Sequence, residues 1–85
     1  MKYRSRTEIV SNILEAANGG ATKTKIMYKG FLSYAQLQEY LAILLANGLL
    51  EHNEKEGKFA TTSKGMKFLG VSSQLESMVP RAHNL

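Results

Sequence analysis

Phe31-Leu32-Ser33-Tyr34-Ala35-Gln36-Leu37 decides how this 85-residue chain is organised. Ser33 with Gln36 three residues later reads as a capping box: the serine oxygen accepts from a backbone N–H of the first helical turn, and the glutamine side chain reaches back to the serine N–H. Leu32 and Leu37 flank it at the spacing of a hydrophobic staple, which sets the angle at which the chain enters the helix. A helix therefore starts at Ser33. Leu37, Tyr40, Leu41, Leu44 and Leu45 form its apolar face, and Asn47-Gly48 ends it where a left-handed residue can close off the last carbonyls.

Working upstream, Gly30 marks the stop of a short helix of about two turns, capped by Thr22 and turning Ile26 and Met27 inward. Lys23, Lys25 and Lys29 make this helix basic. Before it, Ile9, Ile13, Leu14 and Ala17 recur at spacings of three and four, the buried stripe of an amphipathic helix over residues 5–18, which Gly19-Gly20 terminates.

Downstream, residues 49–54 read as a short strand and 58–61 as its return, joined through Lys55-Glu56-Gly57. Thr62 then caps a further helix through Met66, Phe68 and Leu69, which Val71, Leu75 and Met78 extend before Pro80 forbids continuation. The expected organisation is one domain over 1–79, its C-terminal helix at about 63–79, with 80–85 as a tail. The fold class is mainly α with a small β-hairpin (α+β). Two helices joined by a tight turn, then an immediate hairpin, predict a winged helix-turn-helix: a three-helix core, a wing and a C-terminal helix.

Composition narrows the functions such a domain can have. A chain this short buries only about 60 to 65% of the surface it exposes unfolded, so its core is small. There is no cysteine to add a disulfide or thiolate site, and His52 and His83 are too few for an all-imidazole one, so neither metal nor cofactor is expected. No apolar run approaches the roughly 20 residues of a membrane span, and the basic start leads into an amphipathic pattern instead of a signal-peptide core, which predicts a cytoplasmic protein. An enzyme is not expected: no cysteine nucleophile, Gly-rich phosphate loop or credible Ser-His-Asp set is present. The net charge of +4 suits a polyanionic partner.

Arg4-Ser5-Arg6-Thr7-Glu8-Ile9-Val10, Ile13-Leu14-Glu15-Ala16, Thr24-Lys25-Ile26-Met27-Tyr28, Leu32-Ser33-Tyr34, Gly48-Leu49-Leu50, Thr61-Thr62-Ser63-Lys64-Gly65 and Phe68-Leu69 follow one another in order. Together, over residues 4–69, they resemble the archaeal winged-helix family that includes chromatin-type proteins and ArnR-like regulators. The resemblance implies binding of double-stranded DNA, at operators or tolerantly of sequence, by a nucleoid-associated homodimer. In the chromatin-type members a long antiparallel C-terminal helix pair holds the dimer. Here Gly70, Ser72-Ser73 and Pro80 shorten that segment, so a dimer contact would fall on Phe68, Val71, Leu75 and Met78.

In such a fold the start of the third helix enters the major groove, which brings Ser33, Tyr34, Gln36 and Gln38 towards the DNA. Gln36 and Gln38 have the amide chemistry to pair with adenine, and Tyr34 a hydroxyl for phosphate; equally, Ser33 and Gln36 serve as caps and Tyr34 as packing. Residues 33–50 contain no Arg or Lys, so the basic fork on guanine is absent and sequence specificity from this helix is modest. Phosphate contacts fall to Arg4, Arg6, Lys23, Lys25, Lys29, Lys55, Lys58 and Lys64. The wing mixes Glu51, Glu54 and Glu56 with its lysines, His52 reads as a surface residue, and Tyr40 and Phe59 as core. The expected function is a DNA-binding transcriptional regulator; the alternatives are a chromatin-type protein, or an interaction module whose segment 68–79 docks a protein partner.

Overall fold

Ser5, Thr22 and Ser33 are each extended, with φ between −71° and −74° and ψ between 161° and 164°, and each turns the chain into a helix. Their side-chain oxygens accept from the backbone N–H of Glu8, Lys25 and Gln36 at 3.1, 3.2 and 3.1 Å, satisfying donors that a helix start leaves without partners. The computed structural model describes residues 4–78, with α1 Arg6–Ala17, α2 Lys23–Gly30, α3 Tyr34–Ala46, β1 Leu50–Asn53, β2 Lys58–Thr61 and α4 Ser63–Met78. Thr62 caps α4 in the same way, accepting from Gly65 N at 3.1 Å. The expected tail, 80–85, lies outside the described residues.

The helix ends correct one expectation. After α3, Gly48 (φ 73°) is the left-handed residue of a Schellman motif, in which Leu49 N donates to Leu44 O at 2.9 Å and Gly48 N to Leu45 O at 3.1 Å. The same motif closes α2, with Leu32 N on Met27 O at 3.0 Å and Phe31 N on Tyr28 O at 3.3 Å, but its left-handed residue is Phe31 (φ 53°, ψ 48°). Gly30, expected as the stop, is the last helical residue. Space is tight there, since a Cβ would lie 3.2 Å from the Leu32 side chain. The left-handed conformation of Phe31, a residue with a Cβ, costs about 1–2 kcal/mol.

The core takes Ile9, Ile13, Leu14 and Ala17 from α1, Ile26 from α2, Leu37, Tyr40, Leu41 and Leu44 from α3, and Ala21, Leu32, Leu50 and Phe59 from the segments between and the hairpin. Leu45 and Met66, read as apolar-face positions, are exposed. Each follows a buried residue, Leu44 or Gly65, and one helical step turns a side chain by about 100°, past the edge of the stripe. On α4 the inward positions are Gly65, Phe68 and Leu69.

The hairpin pairs antiparallel in the register Leu50↔Thr61, Glu51↔Ala60, His52↔Phe59, Asn53↔Lys58. Its strands are shorter than expected on the first side: Leu49 N is taken by α3, and Glu54 enters the turn, where Asn53 Oδ1 accepts from Glu56 N at 3.2 Å and Gly57 has φ 66°. A further pairing joins Ala21 to Phe59, with two backbone hydrogen bonds of 2.8 Å, so the α1–α2 connection lies along the outer edge of β2. The Thr61 hydroxyl donates to Leu14 O at 2.6 Å and fixes the hairpin to α1. The order helix, helix, helix, hairpin, helix is the winged-helix architecture that the sequence predicts. Among the described residues no helix is long and apolar enough to cross a membrane.

Candidate nucleic-acid interface

The capping that starts α2 also determines what its N-terminus presents. Lys23 and Lys25 stand exposed in the first turn, which contains no acidic residue, whereas α1 has Glu8 at the corresponding place. Lysines beside the partial positive charge of a helix start repel it, and a negatively charged group docked there relieves the repulsion while meeting free N–H groups. From Ala16 to Gln38 the sequence has three lysines and no carboxylate. Lys29, exposed in the last turn of α2, lies where the helix dipole favours a cation.

α3 begins with the full capping box: Ser33 N also donates to Gln36 Oε1 at 3.0 Å. Ser33 and Gln36 therefore bond to each other, and the amide oxygen that a bidentate adenine contact needs is already accepting from the backbone. Gln38 and Tyr34 are exposed, and their side chains form no hydrogen bond with other described residues. The first turn of α3 has no acidic side chain; Glu39 is the first carboxylate on the helix.

The remaining cations divide into engaged and open ones. The Arg4 guanidinium donates to Gly30 O at 2.5 Å and to Phe31 O at 2.8 Å, so it closes the C-terminal end of α2 and lies at the elbow between α2 and α3. Lys64 donates from Nζ to Asn47 O at 2.8 Å, capping α3. Arg6, at the start of α1, and Lys55 and Lys58 on the wing are exposed, the latter two beside Glu51, Glu54 and Glu56. Lys67 on α4 is a further exposed cation that the sequence reading passed over, although it follows Lys64 at helical spacing. His52 stacks on Phe59, with ring centroids 4.3 Å apart and planes 12° from parallel.

The four positions expected at a dimer contact are not alike. Phe68 is half-buried against the domain's own core and Val71 is exposed, while the side chains of Leu75 and Met78 lie outside the described residues. The sequence also did not single out Tyr28 and Phe31, which stand exposed with Tyr34 around the elbow. An aromatic count alone does not separate rings in water from rings in a core.

Residues 3–79 match the winged helix-turn-helix family. An uncharacterised protein of Methanocaldococcus jannaschii is 34% identical over 65 residues, covering 75% of this chain and 65% of that protein, so the chain spans just under two thirds of that relative's length. The crystal structure of Sso10a-2, a DNA-binding protein from Sulfolobus solfataricus, has the same fold, with a TM-score of 0.80 at 22% identity over 88% of this chain and 81% of that one.

Proposed function

Because the chain belongs to the winged helix-turn-helix family, we propose that it binds double-stranded DNA, gripping phosphates from α2 and reading bases lightly from α3. The observation that supports this is the carboxylate-free start of α2, where Lys23 and Lys25 are exposed, together with the exposed and likewise carboxylate-free first turn of α3. Lys29, Arg6, Lys55 and Lys58 add phosphate contacts around them. Gln38 is the base reader, with a whole amide to offer, and Tyr34 contacts the backbone or an adjacent base. Ser33 and Gln36 act as the cap that aims them.

With no Arg or Lys on α3, discrimination among sequences is modest, which favours a sequence-tolerant, nucleoid-associated role as strongly as a transcriptional regulator at operators. The similarity to a DNA-binding protein of the same fold supports the duplex as partner. A homodimer formed along α4, through Val71, Leu75 and Met78, would place two such faces on one duplex.

Gel shifts on mixed-sequence duplex across a salt series test the reading. Affinity should fall steeply with salt, and the Lys23→Ala/Lys25→Ala variant should bind all sequences more weakly, with a salt slope shallower by about 2, since each released phosphate contact contributes about 0.9. Absence of any complex at low salt would overturn it.

A further inference from the structure

Tyr28 and Phe31 are 81% and 82% exposed and Tyr34 is 63% exposed. Among the described residues Tyr40 and Phe59 are buried, Phe68 is half-buried, and every other phenylalanine or tyrosine lies in this elbow, within seven positions of sequence. A small domain with a limited core has thus left three large rings in water around one turn of the chain. Phe31 is the sharpest case, because its ring is solvent-exposed and its backbone adopts a conformation in which glycine or asparagine is preferred. Neither packing nor turn chemistry accounts for phenylalanine there. The Arg4 guanidinium on the Gly30 and Phe31 carbonyls and the Schellman bonds hold the turn in place, so the ring is presented on a fixed support. A backbone outlier maintained by its surroundings, bearing an exposed ring, points to a ligand for that ring.

Its surroundings indicate the chemistry of that ligand. Lys25, Tyr28, Lys29, Phe31 and Tyr34 interleave cations with rings, and no carboxylate occurs in the elbow or in either helix before Glu39. Flat π-faces among cations match nucleobases on a phosphate backbone, since every base has a face to stack and every linkage a charge to neutralise. In a fully paired duplex those faces are covered by their neighbours. We propose that Tyr28, Phe31 and Tyr34 form a stacking site for unpaired nucleobases, so that the protein prefers duplex with locally opened base pairs over the same duplex fully paired. The proposal rests on the DNA-binding reading above and adds the state of the bases that the site takes.

Fluorescence anisotropy with a labelled mixed-sequence duplex, and with the same duplex containing a short central bubble, tests it in the full chain and in Phe31→Gly. Glycine suits the left-handed position and keeps the carbonyl that Arg4 holds, so the variant stays folded, which thermal melting checks. The wild-type chain should bind the bubble roughly tenfold more tightly, the scale of one stacked base, with quenching of tyrosine emission. Phe31→Gly should lose most of that preference and keep its affinity for the paired duplex. Equal wild-type affinity for the two duplexes overturns the stacking site and leaves duplex binding standing; failure to bind either overturns both. A Phe31→Gly variant that retains the preference, with or without a lower sedimenting mass that would mark the ring as a self-association surface, also overturns it.

Discussion

The Arg4 guanidinium donates to the Phe31 carbonyl across 27 positions of sequence, and with its second bond to Gly30 it ties the chain's entry into α1 to the elbow between α2 and α3. Two donors in a rigid fork meet two successive carbonyls that α2 leaves open at its end. Arg4→Ala should lower stability by about 1–2 kcal/mol, within the range for hydrogen bonds from a charged donor that is only partly buried, and Arg4→Lys should recover little of it. Urea denaturation measures both. A variant with unchanged stability and a shallower salt dependence of DNA binding would instead make Arg4 a phosphate contact.

Two glycines of α4 should behave in opposite ways. A Cβ on Gly65 would sit 2.4 Å from Leu49 O and 2.6 Å from Thr61 Cγ2, so Gly65→Ala must push the helix off the wing, at a cost of about 1–3 kcal/mol. Gly70 has nothing within 4 Å and ordinary helical backbone, so Gly70→Ala should stabilise by about 0.5–1 kcal/mol. For a domain of this size each kcal/mol moves the melting temperature by about 4–8 °C, well within reach of a thermal scan.

His52, the cross-strand partner of Phe59 on the same face of the hairpin, stacks on that core ring. His52→Ala should cost about 0.5–1.5 kcal/mol, as aromatic pairs do, while His52→Phe should keep the stability. Duplex affinity should change little in either variant, and a large loss would place His52 in the interface.

Gln36 and Gln38 are the same residue type two positions apart with different engagements. Gln36→Ala breaks one half of the capping box and should appear mainly as a loss of stability of about 0.5–1 kcal/mol, equal with and without DNA. Gln38→Ala should leave melting unchanged and weaken binding by about 1–3 kcal/mol at a preferred site only, read from competition between that site and random duplex. Equal weakening on unrelated sequences would remove Gln38 as a base reader.

Much of this arrangement is legible in the sequence. Thr22, Ser33 and Thr62 cap their helices as expected, and α1 starts beside Ser5 where its apolar stripe begins, because a cap is a bond to an N–H only two or three positions along the same chain. The stripe Ile9, Ile13, Leu14, Ala17 and the α3 residues Leu37, Tyr40, Leu41 and Leu44 are buried as their spacing requires. The clustering of lysines on α2 is a fact of composition and needs no fold to be seen.

Other features depend on contacts between segments distant in sequence. Nothing local marks Ala21 as the partner of Phe59, since one bridged pair leaves no alternation to read. The glycine of Gly30-Phe31 looks like the left-handed residue, but the bonds Leu32 N to Met27 O and Phe31 N to Tyr28 O put that role on Phe31. Two cations expected to contact phosphate, Arg4 at the elbow and Lys64 at Asn47, are bonded to carbonyls, since free carbonyls at helix ends attract whatever donor the fold brings near. The sequence by itself determined where the elements begin and which faces are apolar, because those are interactions over one helical turn. Tertiary structure decided which cations remain for a ligand and which rings are left in water, because both depend on what the packed neighbours leave uncovered.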